Sequence, residues 1–351
     1  MKKKIIHCYN DSPIASDFLD FILNNFSQEI HDHFVLQTEN KYFKGSQFIH
    51  YKKLNNLLTF IKLLRTCLHS DLIIIHGFFS PRLVLFYLFN PFLLQKTYWV
   101  IWGEDLHSLD RITAKNIGNY LLNKILVSLK KSLLRKVKGV ITYIRGDYED
   151  ACLKLNTHFN YYECIMYTSN IYKYIEESDN QNLHKSTINI QIGNSASLNN
   201  NHLQLLDILE LYKDKNIKII CPLSYGLETV KETVIEKGKK IFGEKFIPLT
   251  NFMPLEEYRK LQLTIDIAVF NHNQQEAMGN TISLLGMGKK VYIRSHVSQW
   301  QLFKDLGIEV YDTQAFELTL IDDNVRNRNI QKIQEYFSKK NLLQQLEKIF
   351  N

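Results

Sequence analysis

Glycine and proline are scarce in this 351-residue chain. Its 14 Gly and 6 Pro are too few for a collagenous or low-complexity protein. The five cysteines, Cys8, Cys67, Cys152, Cys164 and Cys221, are odd in number and scattered, with no C-x-x-C. That pattern disfavours a disulfide framework or a zinc site and fits a reducing cytosol. The greasiest stretch, 72–94, is broken by Ser80-Pro81-Arg82 and by Asn90-Pro91, so no membrane span is expected. The lysines at 2–4 suit a leader peptide, but the apolar run stops at His7 and no small-residue cleavage site follows. A soluble or peripheral protein is expected. No D-x-D, G-x-S-x-G or H-E-x-x-H occurs. The first absence removes the carboxylate pair that would hold Mg²⁺ or Mn²⁺ on a sugar nucleotide. His31-Asp32-His33 is too compressed for a metal site and reads as a solvated loop. No metal ion or other cofactor is expected.

Acidic residues are missing from one segment in particular. Residues 111–138 carry Arg111, Lys115, Lys124, Lys130, Lys131, Arg135, Lys136 and Lys138 and no Asp or Glu. The whole chain has a net charge of +7, and without those eight it falls to −1. A nucleic-acid binder would spread or repeat its basic surface, so nucleic acid is not an expected partner. At 100° per residue, Lys124, Lys131, Arg135 and Lys138 share one helix face. Leu122, Ile125, Leu126, Leu129, Leu133 and Val137 share the opposite one. The apolar face suits a sheet or a bilayer. The basic face suits lipid phosphates, at ~1 kcal/mol per cation near an anionic membrane, or else plain solvent.

What is abundant is alternation. Short β-branched runs at 4–9, 34–37, 72–75, 98–101, 139–143 and 161–165 alternate with helical patterns such as 54–68 and 81–94. The rhythm resumes with strands at 188–192, 217–221, 246–249, 265–270 and 290–293. This is the pattern of doubly wound parallel α/β sheets. The polar stretch 176–185 reads as a linker between two Rossmann-like domains, 1–175 and 186–325. Residues 326–351 read as a C-terminal helix, with its pattern over 330–350, packing back across the junction. Ligands of such sheets bind beyond the carboxyl ends of the strands.

Those strand ends hold the chemistry. Gly193, Asn194 and Ser195 follow the strand 188–192 and precede a helix capped near Asn199 or Asn200. A Gly turn against a helix N-terminus suits a phosphate, or is an ordinary strand–helix turn. The loop 271–281 is longer than a usual βα loop. Its Gln275 and Glu276 suit sugar or ribose hydroxyls, and Gly279, Asn280 and Thr281 a phosphate; a solvated loop is the plainer reading. Tyr225 follows a third strand and suits a nucleobase or simple surface packing. In the first half, Glu104 and Asp105 follow a strand beside Trp102, where one carboxylate suits a general base or a helix cap. His76 and Arg145 occupy equivalent strand ends; either could meet an acceptor or phosphate, or be structural.

Trp102-Gly103-Glu104-Asp105-Leu106, Arg145-Gly146-Asp147, Gly193-Asn194-Ser195, Pro222-x-x-Tyr225 and Gln274-Gln275…Gly279-x-Thr281 occur in this order. Over about 70–310 the chain resembles the TDP-N-acetylfucosamine:lipid II N-acetylfucosaminyltransferase family, the 4-alpha-L-fucosyltransferase-like enzymes of enterobacterial common antigen synthesis. The resemblance implies a GT-B glycosyltransferase: two Rossmann-like domains with parallel sheets facing across a cleft, the acceptor held by the first and a TDP-sugar by the second. It also implies a peripheral enzyme on the cytoplasmic face of the bacterial inner membrane. There it would act on a polyprenyl-diphosphate-linked saccharide at an anionic surface. The chain departs from the family pattern at Ala196-Ser197, where Gly-Asp is expected, and at Ser224 and Gly226. The loop 271–281 is one residue longer. An epimerase of sugar nucleotides on the same fold, or a non-catalytic membrane-surface or nucleic-acid-binding protein using 111–138, are the rival expectations.

Overall fold

The computed structural model describes residues 3–36, 49–51, 57–110, 117–174 and 187–351. The chain divides into two compact units, residues 1–171 with 339–351, and residues 172–338. The first contains strands β1 (Ile5–Tyr9), β2 (His31–Val35), β3 (Ile49–Tyr51), β4 (Leu72–His76), β5 (Thr97–Val100), β6 (Gly139–Ile141) and β7 (Asn160–Tyr162). Its helices are α1 (Pro13–Asn25), α2 (Leu57–Leu68), α3 (Pro81–Phe89), α4 (Glu104–His107), α5 (Ile117–Leu134) and α6 (Arg145–Leu155). The strands pair in parallel in the order β3-β2-β1-β4-β5-β6-β7. The direction reverses about β1 and β4, as in a doubly wound sheet.

The second unit has β8 (Ile188–Ile192), β9 (Ile217–Pro222), β10 (Phe246–Leu249), β11 (Ile267–Phe270), β12 (Lys290–Ile293) and β13 (Tyr311–Asp312). Between them lie α7 (His202–Glu210), α8 (Glu228–Phe242), α9 (Leu255–Leu263), α10 (Met278–Gly286) and α11 (Ser298–Asp305), followed by α12 (Asp323–Tyr336). Its parallel order β10-β9-β8-β11-β12-β13 reverses between β8 and β11. The edge strand β13 has only two residues and went unforeseen.

Local chemistry sets most boundaries. Ser12 caps α1, its hydroxyl accepting from Ala15 N at 3.2 Å, and Pro13 follows at the first helical position. Asn90-Pro91 ends α3, which was expected to run to 94. A 3-10 turn over Pro91–Lys96 follows, because proline cannot continue the ladder. The expected terminal helix is two helices. α12 packs on α10 in the second unit, whereas α13 (Lys339–Phe350) belongs to the first. There Gln345 Oε1 accepts from Ile165 N at 2.9 Å, and the Phe350 ring meets His31 edge-on at 4.8 Å. The expected linker 176–185 lies outside the described residues.

The sheet faces of the first unit differ. Ile6, Cys8, Phe34, Ile73 and Ile75 pack beneath α2, α3 and α5. The opposite face carries His7, His31, His33 and His76, all buried. The expectation of a solvated loop at His31-Asp32-His33 therefore fails: these residues open β2, between β1 and β3. Imidazoles are tolerated there because they bond one another, His7 Nε2 with His31 Nδ1 at 3.0 Å and His7 Nδ1 with His76 Nε2 at 3.1 Å. No described helix is long and apolar enough to cross a membrane.

Candidate active site

In the first unit the carboxyl ends of β4, β5 and β6 bring the 76–78, 102–105 and 145 loops to one rim. Gly77 and Gly103 both take left-handed φ, +79° and +82°, so each chain turns sharply off its strand. Asp105 is 2% exposed. Its carboxylate accepts from Trp99 Nε1 (2.6 Å), Phe78 N (2.9 Å), Trp102 N (2.9 Å) and Leu106 N (3.1 Å). Burial pushes its pKa up, and those four hydrogen bonds hold the rise back. All its lone-pair directions are occupied. Asp105 staples two loops, and the expectation that it acts as a general base is corrected. Glu104, one residue earlier at the start of α4, is exposed.

His76 is corrected in the same way. It is fully buried, stacked on Tyr9 at 4.3 Å and bonded through Nδ1 to the Tyr167 hydroxyl at 2.8 Å. Burial, then the neighbouring His33, drives its pKa down. Trp102 Nε1 donates to the same Tyr167 hydroxyl at 2.6 Å. Both ring nitrogens of His76 are thus engaged inside the unit, and the histidine network supports the Trp102 loop. Arg145 is exposed and pairs with Glu149 at 3.1 Å.

The second unit offers a denser rim, at the carboxyl ends of β8, β9, β11 and β12. Gly193 has φ +64°, and a Cβ there would press into His202 and Asn200. Asn194 N donates to Asn200 Oδ1 at 2.9 Å, and Asn200 Nδ2 donates to Ser195 Oγ at 3.2 Å. α7 starts at His202 with Asn201 as its cap, just past the expected Asn199 or Asn200, after a 3-10 turn over Leu198–Asn200. Tyr225 remains 59% exposed while its hydroxyl accepts from Asn194 Nδ2 at 3.2 Å. Its carbonyl accepts from Ala196 N at 2.7 Å, which ties the β9 loop to the β8 loop.

Beyond β11, His272 is buried, its Nε2 within 3.1 Å of Asn194 Oδ1 and 3.0 Å of Asn200 Oδ1. Two carbonyl acceptors place its hydrogen on Nε2. Burial is the main reason its pKa falls to about 3, with His202 and Arg294 adding to it. Glu276 Oε1 accepts from Asn199 Nδ2 (2.6 Å) and Gln274 Nε2 (2.9 Å), which positions a half-buried carboxylate. Gln275 is half-buried beside it. Thr281 is fully buried; its N–H and hydroxyl both donate to Ala277 O, at 2.9 and 3.1 Å. It is thus unavailable to a phosphate, which corrects that expectation. The amides without an intrahelical acceptor belong to Met278, Gly279 and Asn280. Asn280 Oδ1 accepts from Gln262 Nε2 at 3.0 Å.

Arg294, just past β12, was missed. Nε donates to Asn271 Oδ1 at 2.7 Å and Nη2 to Gln204 Oε1 at 2.6 Å, while Nη1 reaches Asn273 Oδ1. All three partners are neutral amides, so its charge is oriented without being neutralised. A basic residue directly after a strand was the available signal. The Asn199–His202 run was another, read only as a helix cap. Together these loops can bind an anion and orient hydroxyl groups.

A family model described as 4-alpha-L-fucosyltransferase, glycosyl transferase group 56, matches residues 10–349. The chain belongs to that family. Solved structures add the fold at low identity. Anabaena HepE in complex with UDP aligns with a TM-score of 0.64 at 12% identity, covering 99% of this chain and 98% of that one. The N-terminal domain of Candida albicans trehalose-6-phosphate phosphatase gives 0.65 at 10%, covering 100% and 97%. WaaG, a glycosyltransferase of lipopolysaccharide biosynthesis, gives 0.60 at 9%, covering 99% and 98%. The group 56 chain is therefore a glycosyltransferase of the GT-B fold.

Proposed function

We propose that the enzyme transfers a deoxyamino sugar, 4-acetamido-4,6-dideoxygalactose or a close analogue, from a TDP-sugar to a polyprenyl-diphosphate-linked saccharide in bacterial surface polysaccharide synthesis. The second unit takes the donor and the first the acceptor, at the cytoplasmic face of the inner membrane. The observation that carries this is the β8–β11–β12 rim, which holds the first-turn amides of α10, the Arg294 guanidinium on neutral amide partners and a fixed Glu276 carboxylate. HepE was solved with UDP and with UDP-glucose, which supports a nucleotide-sugar donor here.

Leaving of a nucleoside diphosphate develops negative charge. Fixed N–H dipoles and a guanidinium stabilise that charge without reorganising. We read the reaction as metal-independent, with Arg294 supplying the positive charge; turnover should then survive EDTA. Tyr225 offers an exposed ring for the base, and Gln275 and Glu276 contact ribose or sugar hydroxyls. In an inverting reaction Glu104 takes the acceptor proton. A thermal-shift series of TDP, UDP, GDP and CDP tests the donor. A ligand at a hundred-fold excess over Kd adds about 2.7 kcal/mol. TDP should raise the midpoint most, and no response to any of the four would refute the reading.

A further inference from the structure

α5 is too long for the sheet it covers. Eighteen residues span about 27 Å, whereas β5 and β6, with four and three residues, span only about 10–13 Å. Its C-terminal end leads directly into β6, so Leu126, Leu129, Leu133 and Leu134 pack on the core. The first half overshoots the carboxyl ends of the strands, and there Leu121, Leu122 and Ile125 are 54%, 65% and 57% exposed. The expected apolar face is thus split lengthwise, half on the sheet and half in the open.

The surface continues sideways. α3 packs against α5, and the Phe60 ring of α2 meets Phe86 of α3 at 5.0 Å. α3 and the following turn expose Leu85, Leu88, Phe89 and Phe92, and α2 exposes Leu57, Leu58, Ile61 and Leu68. Such a concentration is foreign to a solvated helical layer. Charge complements it: α2, α3, the 91–96 turn and α5 hold seven Lys or Arg and no Asp or Glu. The expected basic face is weaker than it looked. Lys131 pairs with Asp110 at 3.0 Å, Arg135 donates to Leu155 O at 2.8 Å, and both Arg135 and Lys138 lie past the helix end.

We infer that the α2–α3–α5 layer docks on an anionic bilayer by burying these apolar side chains, with the projecting first half of α5 entering the headgroup region beside the Glu104 rim. Large apolar residues among lysines, with no acidic residue, are what an interfacial helix needs. This rests on the reading of a lipid-linked acceptor. It replaces adhesion through Lys124, Lys131, Arg135 and Lys138 as the main contact.

The test is co-sedimentation of the full chain with vesicles of phosphatidylglycerol and phosphatidylethanolamine, against phosphatidylcholine alone. The triple variant Leu121→Glu, Leu122→Glu, Ile125→Glu should lose roughly ten-fold or more in partitioning. Lys124→Glu with Lys131→Glu should lose only a few-fold, chiefly at low salt. Leu88→Glu with Phe89→Glu tests the same layer from a second helix if the triple variant is unstable. Unchanged sedimentation of both apolar variants overturns the proposal. So does a wild-type dimer that the variants convert to monomer without any vesicle binding, which would make the layer an interface between copies. TDP binding, followed by thermal shift in the same samples, separates the two readings. Lost nucleotide response with intact vesicle binding counts against the donor assignment and leaves this inference standing.

Discussion

A carboxylate that accepts four hydrogen bonds has no lone pair to offer an incoming hydroxyl, which is why the proposed reaction gives the acceptor proton to Glu104 and not to Asp105. Asp105→Asn leaves two buried N–H groups facing an amide NH₂. It should cost about 2–4 kcal/mol of stability, visible as a lower urea midpoint, while the folded fraction keeps its turnover. Glu104→Gln should do the opposite, lowering kcat by roughly 10²–10⁴-fold with a much smaller change in melting midpoint than Asp105→Asn. The reverse pattern would restore Asp105 as the base.

At the scale of elements, the rim of the second unit is an assembly of loops from four strands whose amides hold one another. Arg294 is the centre of that assembly toward β12, fixed by Asn271, Asn273 and Gln204. Arg294→Ala should weaken TDP binding by roughly 10- to 100-fold, the worth of a charge-assisted contact, without a comparable loss of stability. Isothermal titration would show it, and an unaltered Kd would remove Arg294 from the proposed donor site. Gly193 is the other fixed point, since any side chain there collides with His202 and Asn200. The β8 turn and the long β11 loop were legible in the sequence from a glycine after a buried strand and from loop length. The partners were not: Asn200, His272 and Arg294 are separated by up to about a hundred residues of chain and meet only once the sheet order is set.

At the scale of the molecule, buried neutral imidazoles couple folding to pH. His31 and His202 are held to about 4 and His272 to about 3, with burial as the leading cause, and His7 and His76 also lie well below 6.5. The unfolded chain binds these protons near pH 6.5 and the folded one does not. Their stabilisation is therefore complete above that pH and drains as pH falls toward 4, by up to about 1.4 kcal/mol per pH unit for each imidazole. Melting midpoints should drop steeply between about pH 6.5 and 5, and His31→Phe should flatten the slope. A midpoint that is level across that range would contradict the burial of neutral histidines.

Strand–helix alternation, the glycine turn and the absence of acidic residues from 111–138 are local properties, carried by hydrophobic period and composition. The sequence by itself therefore determined two parallel α/β sheets and the strand ends where chemistry gathers. Burial is not local. Whether Asp105 and His76 face a ligand or the interior, and which half of α5 finds a sheet beneath it, depended on strand order and strand length. Only the tertiary structure decided those, because a side chain's solvent is set by neighbours brought from elsewhere in the chain.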